Sequence, residues 1–365
     1  MNDQSRKKSV SRIVFLDYLR VFAFASVLIG HKLYGQLVSF TENPTVHATP
    51  RLIVKHLLPF FEAGGAGVVV FFLVSGYIVT YALQRDSAKE FLFKRIFRIY
   101  PLYIVAVLLE KLKLYFMGYG APELTSLIPQ FLLIGDLFGT SYTLGSVEWT
   151  LRVEVFFYLY IALLRHFGFL NENRNWLLLM YTISVLVLVL LGPLPTSPAW
   201  SRAYITAYSP FLLLGSLFCA REANAISSWQ LSGFTLLVFA QYFFVISIYN
   251  PRTLNSHFAI MAFFLFFFAW FFRSTFSSNG LVVLLSELTF SVYLFHNWAW
   301  DVFQGLARRI PLYFISADLV VLFFLFLFCY VMTSVVEKPA IRLGRYLLKN
   351  GIKYPFKGGQ VSVKD

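Results

Sequence analysis

Long apolar runs follow one another along the chain, separated by short polar or basic stretches. The pattern matches what a bilayer requires, because a helix that crosses one needs about 20 mostly apolar residues. It predicts spans over residues 13–31, 65–83, 97–116, 146–164, 176–192, 203–220, 229–248, 256–272, 281–303 and 314–336. The pattern therefore predicts an all-α, polytopic transmembrane helix bundle of about ten spanning helices.

Two long segments, 32–64 and 117–145, separate predicted spans on the side opposite the N-terminus. The second contains an apolar stretch, residues 124–138, that is too short and too interrupted to span. We expect this stretch to be re-entrant or interfacial and to line a cavity, where non-helical backbone can be satisfied.

Composition agrees with a membrane protein. Of the 365 residues, 58% are hydrophobic and only 13% are charged, and 42 are phenylalanine. A soluble chain of this length needs a charged surface over its core, whereas lipid accepts apolar side chains facing outward. We therefore predict an integral, multi-pass membrane protein, placed in a bacterial inner membrane.

The net charge of +13 is arranged for a membrane rather than for a nucleic acid. Basic residues cluster in residues 6–12, 85–98 and 338–357, and no nucleic-acid-binding motif accompanies them. This positive-inside pattern predicts that both termini are cytoplasmic and face anionic lipids. The expected division is a basic segment over 1–12, a transmembrane domain over 13–340 and a basic tail over 341–365.

Ionisable residues inside predicted spans are the candidates for chemistry, because burying charge in lipid is costly. Arg20 and His31 both lie in the first span. Eleven residues place them within about 20° on one helix face and about 16 Å apart along the axis, roughly a phosphopantetheine arm. Arg20 would hold a phosphate and His31 would meet an acyl group. The alternative is that Arg20 snorkels and His31 is merely interfacial.

A second basic group stands where the third span begins. Arg95 and Arg98 are three residues apart and share a helix face, which suits a polyanionic ligand. Charge that only sets the topology is the alternative interpretation.

The fourth predicted span carries two carboxylates. Glu148 and Arg152 are four residues apart and are expected to pair. Glu154 then has no basic neighbour on its own helix, and we expect it to meet His31 and to orient it as a general base. A structural ion pair to another helix is the alternative. His296 in the ninth span is a further candidate, although its aromatic neighbours also suit an interfacial belt.

The first span, with its Arg20-x10-His31 spacing, resembles the opening helix of acyltransferase family 3, the membrane acyltransferases that O-acetylate surface polysaccharides. Five further segments resemble the family's motifs and follow in the same order: Phe71–Tyr77 (Phe-Phe-x-x-Ser-Gly-Tyr), Arg95–Pro101 (Arg-x-x-Arg-Ile-x-Pro), Trp149–Tyr158 (Trp-x-Leu-x-x-Glu-x-x-Phe-Tyr), Ser291–His296 (Ser-x-Tyr-x-x-His) and Glu337–Pro339 (Glu-x-Pro). The resemblance extends over about residues 11–346. Val69 and Arg152 depart from residues that are common in the family.

The resemblance implies an O-acyltransferase that moves an acyl group, usually acetyl, from cytoplasmic acetyl-CoA to a glycan or glycolipid hydroxyl. His31 and Glu154 would be catalytic, and Arg20, Arg95 and Arg98 would bind the coenzyme. Asp17, Trp149, Tyr158 and His296 are additional candidates, and neither a metal nor a permanently bound cofactor is expected. The rival hypothesis is a transporter or flippase for a lipid-linked saccharide, which would not need the spacing between Arg20 and His31.

Overall fold

A computed structural model describes residues 12–140, 142–170, 174–196, 202–251, 257–309 and 316–350. Regular structure within these ranges is helical, with no strand. The helices are α1 (Val14–Lys32), α2 (Tyr34–Glu42), α3 (Ala48–Leu57), α4 (Gly65–Leu83), α5 (Ala88–Leu114), α6 (Leu124–Phe131), α7 (Trp149–His166), α8 (Arg174–Leu190), α9 (Tyr204–Glu222), α10 (Ser228–Tyr249), α11 (Phe258–Phe271), α12 (Gly280–Phe295), α13 (Trp298–Ala307), α14 (Ala317–Met332) and α15 (Lys338–Lys349). Most of the expected basic segment, residues 1–11, and the end of the expected tail, residues 351–365, lie outside the described residues.

Each of the ten predicted spans overlaps one helix or two consecutive helices. Within the described ranges, four helical stretches are long and apolar enough to cross a membrane by themselves: Val14–Lys32, Ala48–Leu83, Ser228–Tyr249 and Ala317–Lys349. The pair α12 and α13 adds a fifth if it is counted as one span. The protein is therefore an all-helical integral membrane protein, and the number of ten crossings stays a prediction.

The ninth predicted span differs most from the structure. One helix was expected over 281–303, but the chain bends by 92° between α12 and α13. In segment 117–145 the eight-residue α6 is too short to cross, as expected for a re-entrant or interfacial stretch. Residue 340, where the basic tail was expected to begin, lies within α15, and α15 packs against α5.

The centre of the bundle is the pair α4 and α9, whose side chains are mostly buried. Two glycines bring their backbones together. A β-carbon at Gly76 would overlap the carbonyl oxygen of Leu212, and one at Gly215 would overlap that of Leu73. Helices in membranes associate through such small residues, because lipid supplies little hydrophobic force between helices. Gly76 and Gly215 therefore allow the close packing of α4 against α9.

Replacing Gly76 by alanine should destabilise the bundle, although alanine is the better helix former. The added methyl group forces α4 away from α9, and overpacking of this kind costs about 1–3 kcal/mol. Thermal unfolding in detergent, followed by size-exclusion chromatography, would measure the loss. Gly233→Ala in α10 is the matched control, because nothing lies within 4 Å of a β-carbon there. An equal or higher midpoint for Gly76→Ala would contradict the expectation.

Helix α1 packs between α4 and α12, and its two ends are used to name the two ends of the bundle. At the end where α1 begins, Arg12 bonds to Asp17 at 2.5 Å and to Glu287 at 3.4 Å, and Ser286 donates to Asp17 at 2.6 Å. We call this the basic end. The opposite end, where α1 finishes near His31, is called the histidine end. Asp17, one of the additional candidates, therefore ties α1 to α12.

Candidate functional site

Three cavities share walls along α1. The basic cavity, of about 760 Å³, is lined by Arg12, Ile13, Leu16, Asp17, Arg20, Ile78, Tyr81, Arg98, Glu287, Thr333, Glu337, Lys338, Ile341, Arg342 and Arg345. A waist cavity of about 70 Å³ shares Arg20, Arg98 and Ile78 with it. A histidine cavity of about 400 Å³ shares Val27, Val68 and Tyr293 with the waist and contains His31. The three therefore follow one another from the basic end to the histidine end.

Three arginines surround the junction of the basic cavity and the waist. Arg98 pairs with Glu337 at 2.6 Å. Arg95 stacks over the rings of Phe91 and Tyr158, with its guanidinium carbon 5.0 and 5.1 Å from the ring centroids. Arg20 has no hydrogen bond or ion pair within the part of the chain that the structure describes. The sequence-predicted trio thus meets in one place, where positive charge exceeds its local partners and favours an anion.

Glu154 lies at the waist and not beside His31. It is buried, and it accepts hydrogen bonds from Ser75 and, at 2.5 Å, from Tyr158. Tyr158 in turn carries Arg95 on its ring. The expected contact between Glu154 and His31 is therefore absent, because Glu154 sits deeper in the bundle, level with the arginines, and α1 carries His31 to the histidine end.

The partner of His31 is His296. Nδ1 of His31 lies 2.9 Å from Nε2 of His296, and the rings stack at 20° with centroids 5.1 Å apart. His31 is accessible, whereas His296 is 1% exposed. An accessible imidazole thus stands on a buried one, which suits a reacting group and a group that positions it.

Hydrogen bonding assigns the tautomers of both rings. Nδ1 of His296 is 2.8 Å from the Tyr293 carbonyl and 3.2 Å from that of Val292. Carbonyls only accept, so Nδ1 of His296 carries the proton and its Nε2 accepts from Nδ1 of His31. Nε2 of His31 is then unprotonated. This is the state in which an imidazole takes up a proton or attacks a carbonyl.

The break between α12 and α13 makes this arrangement available. Because α12 ends at Phe295, the last carbonyls of the helix lose their helical donors. Nδ1–H of His296 donates to the Tyr293 carbonyl oxygen at 2.8 Å, and the indole N–H of Trp298 donates to the Leu294 carbonyl oxygen at 3.1 Å. Asn297 donates to the Gly145 carbonyl at 2.7 Å. The bent segment is thereby fixed, and His296 with it.

The remaining predicted residues support the walls of the site. Glu148 and Arg152 pair at 3.2 Å as expected, and Asp136 from segment 117–145 adds a second carboxylate at 2.7 Å. Trp149 packs on Tyr204 and lines the histidine cavity. Segment 117–145 is thus anchored through a buried arginine beside this cavity.

A family model described as an acyltransferase domain matches residues 13–336. The chain belongs to that acyltransferase family. The match runs from the start of α1 into the turn after α14 and includes every residue that lines the waist and the histidine cavity, together with nine of the fifteen that line the basic cavity. It confirms the resemblance to acyltransferase family 3 that the ordered motifs indicated.

A curated relative of this acyltransferase-family chain is Acyltransferase MdmB of Streptomyces mycarofaciens. The two are 27% identical over 158 residues, which is 41% of this chain and 38% of that protein. The aligned region thus spans well under half of the relative. No solved structure matches the chain.

Three residues of the site were not predicted as such. Tyr293 lines both the waist and the histidine cavity, and its hydroxyl donates to the Val147 carbonyl at 2.6 Å. Glu337 neutralises Arg98, and Asn297 lines the histidine cavity. The motifs Ser291–His296 and Glu337–Pro339 and the asparagine within an apolar run were the available signals. Helix packing was needed to place them.

Proposed function

We propose that this protein is an integral-membrane O-acyltransferase. It moves an acyl group, most simply acetyl, from cytoplasmic acyl-CoA to a hydroxyl of a cell-surface glycan or glycolipid precursor. Membership of the family supports the reaction class. The observation that carries the proposal is that Arg20, at the junction of two cavities, and His31, in the third, lie on one unbroken helix.

The donor would enter by the basic cavity. Arg20 and Arg98 then bind the diphosphate by charge-assisted hydrogen bonds, and Arg95 adds positive charge beside them. The extended pantetheine arm follows α1 through the waist over about 16 Å, which brings the thioester to His31. Acyl-CoA is a substrate in this scheme.

At His31 two routes use the same unprotonated Nε2. In direct transfer, Nε2 removes the acceptor's hydroxyl proton, the oxygen bonds to the acyl carbon, the carbon–sulfur bond breaks, and the thiolate takes the proton. In the covalent route, Nε2 bonds to the acyl carbon as the thiolate leaves. The acceptor oxygen then bonds to the acyl carbon, the bond from that carbon to Nε2 breaks, and the hydroxyl proton passes to the thiolate.

The acceptor would occupy the histidine cavity. Its walls combine the rings of Trp149, Tyr204 and Tyr208 with the amide of Asn297. Apolar and aromatic walls with a few fixed polar groups are typical of small-molecule sites. Such walls suit a sugar, whose ring carries both apolar faces and hydroxyls.

The orientation that the scheme needs agrees with the charge pattern. Basic residues gather at the end where α1 begins, which the positive-inside rule places in the cytoplasm, where acyl-CoA is made. The histidine end would then face the outer side of a bacterial inner membrane. Ten crossings return the C-terminus to the cytoplasm.

Replacing Arg20 by alanine tests the donor site. Arg20 has no carboxylate partner, so its removal leaves no buried charge unpaired and the variant should fold. We expect its KM for acetyl-CoA to rise roughly tenfold, because the coenzyme loses one charge-assisted contact. The measurement is transfer of labelled acetyl from acetyl-CoA in membranes. Lys94→Ala is the control, because Lys94 pairs with Asp86 and lines none of the three cavities. An unchanged KM in Arg20→Ala would refute the donor site.

A further inference from the structure

Two arginines on α15 line the basic cavity and are not used in the proposed reaction. Arg342 and Arg345 are three residues apart, so they share one face of the helix. Both are exposed at the rim of the cavity. Neither has a hydrogen bond or an ion pair to any residue in the described ranges. Sequence patterning alone assigned them to a topology-setting tail.

The other cations of the basic cavity are already engaged, except Arg20. Arg12 pairs with Asp17 and Glu287, Lys338 pairs with Glu287 at 2.8 Å, and Arg98 pairs with Glu337. Six cationic side chains and three carboxylates line the cavity, an excess of three positive charges. The excess charge lies on the three arginines that have no carboxylate partner: Arg20 at the waist, and Arg342 and Arg345 at the rim.

Contacts between α15 and α5 fix the position of the α15 pair. Helix α15 follows a π-helical turn whose Glu337 is held by Arg98 of α5. Further along, Gly344 lies so close to α5 that a β-carbon would meet the Phe97 ring at 2.7 Å. Gly344 stands between Arg342 and Arg345, so this close contact holds both arginines beside the cavity.

We propose that Arg342 and Arg345 bind the 3′-phosphate of coenzyme A. The inference rests on the proposed function, and it adds a second anion site to the diphosphate site at Arg20 and Arg98. In coenzyme A the thioester is followed by the pantetheine arm, then the diphosphate, then the ribose with its 3′-phosphate. With the thioester toward His31 and the diphosphate at the waist, the 3′-phosphate falls in the part of the basic cavity farther from the waist, which the α15 pair lines.

The charge of this group matches the pair. A phosphate monoester carries about −1.5 to −2 at pH 7, and its oxygens accept the forked hydrogen bonds of guanidinium groups. An anionic lipid headgroup presents the same acceptor oxygens, but as a singly charged diester. The occupant proposed here is the coenzyme, and the experiment separates the two sources.

The test compares binding of coenzyme A and 3′-dephospho-coenzyme A to the full chain in phosphatidylcholine nanodiscs by isothermal titration. For the wild type we expect coenzyme A to bind roughly tenfold more tightly, because only it carries the 3′-phosphate. In the double variant Arg342→Gln/Arg345→Gln the two ligands should bind equally. Affinity for the dephospho ligand should stay that of the wild type, which also shows that the variant is folded.

Lys349→Gln is the matched control, because Lys349 lies on the same helix but lines none of the cavities. It should keep the tenfold preference. Wild-type binding that is equal for both ligands, or a preference that survives in the double variant, overturns the 3′-phosphate site while the proposed function stands. If the wild type binds neither ligand, both proposals fail. If phosphatidylglycerol in the nanodisc abolishes the preference, the pair is a lipid site and the proposal is overturned.

Discussion

Replacing His31 by alanine should lower acyl transfer roughly 10²–10⁴-fold while leaving the amount of folded protein unchanged. His31 is accessible at the end of α1, so its truncation removes little packing. It removes the one imidazole with an unprotonated Nε2 that the histidine cavity contains within the described residues. The magnitude follows from the usual contribution of a positioned general base. Transfer of labelled acetyl in membranes, normalised to protein content, is the measurement.

Two comparisons make the His31 result specific. His166→Ala, at the exposed C-terminal end of α7, should retain full activity, because it lines none of the three cavities. Binding of acetyl-CoA should also survive in His31→Ala, since the arginines at the waist are unaffected. Transfer that persists in His31→Ala would remove His31 from the mechanism. Movement of a lipid-linked saccharide that does not depend on His31 would instead favour the transporter hypothesis.

His296 should be the second most sensitive position, acting through His31. Its Nε2 accepts a hydrogen bond from Nδ1–H of His31, which keeps the proton on that nitrogen and leaves Nε2 of His31 unprotonated. In a triad an aspartate in the equivalent place is worth about 10⁴-fold. His296 brings no charge, so we expect His296→Ala to lower kcat by a smaller factor, on the order of 10–100-fold, with an unchanged KM for acyl-CoA.

The conservative variant separates positioning from packing. In His296→Gln the amide oxygen can accept from Nδ1 of His31, so part of the lost kcat should return. A general packing defect at this buried position would lower the melting temperature of both variants and the activity of both alike. If alanine and glutamine reduce kcat equally, or if KM rises instead, His296 does not position His31.

Local helix geometry made α1 predictable. The spacing of Arg20 and His31 needs only an unbroken helix, and α1 is unbroken from Val14 to Lys32. The pairing of Glu148 with Arg152 is likewise a property of one helix. Those features follow from 3.6 residues per turn, whatever the helix packs against.

Contacts between helices were much harder to predict. Glu154 was expected beside His31 because it has no basic neighbour on its own helix, but depth in the bundle depends on where α1 and α7 each lie along α4. Glu154 instead accepts hydrogen bonds from Tyr158 on its own helix and from Ser75 on α4. The break between α12 and α13 could not be predicted from a proline or a glycine, because residues 295–298 are Phe-His-Asn-Trp. It is held by the hydrogen bond from Asn297 to Gly145, whose partners are 152 residues apart.

The waist cavity also affects how easily protons and other cations could leak through the bundle. Cavities that follow one another through a bilayer threaten the electrochemical gradient, because water within them conducts protons. The waist cavity is the smallest of the three, with a volume of about 70 Å³, and its lining includes Arg20, Arg95 and Arg98. Fixed guanidinium charges at a narrow point raise the electrostatic barrier to protons and other cations. The charges that we propose bind the donor's phosphates would therefore also oppose a leak through the bundle.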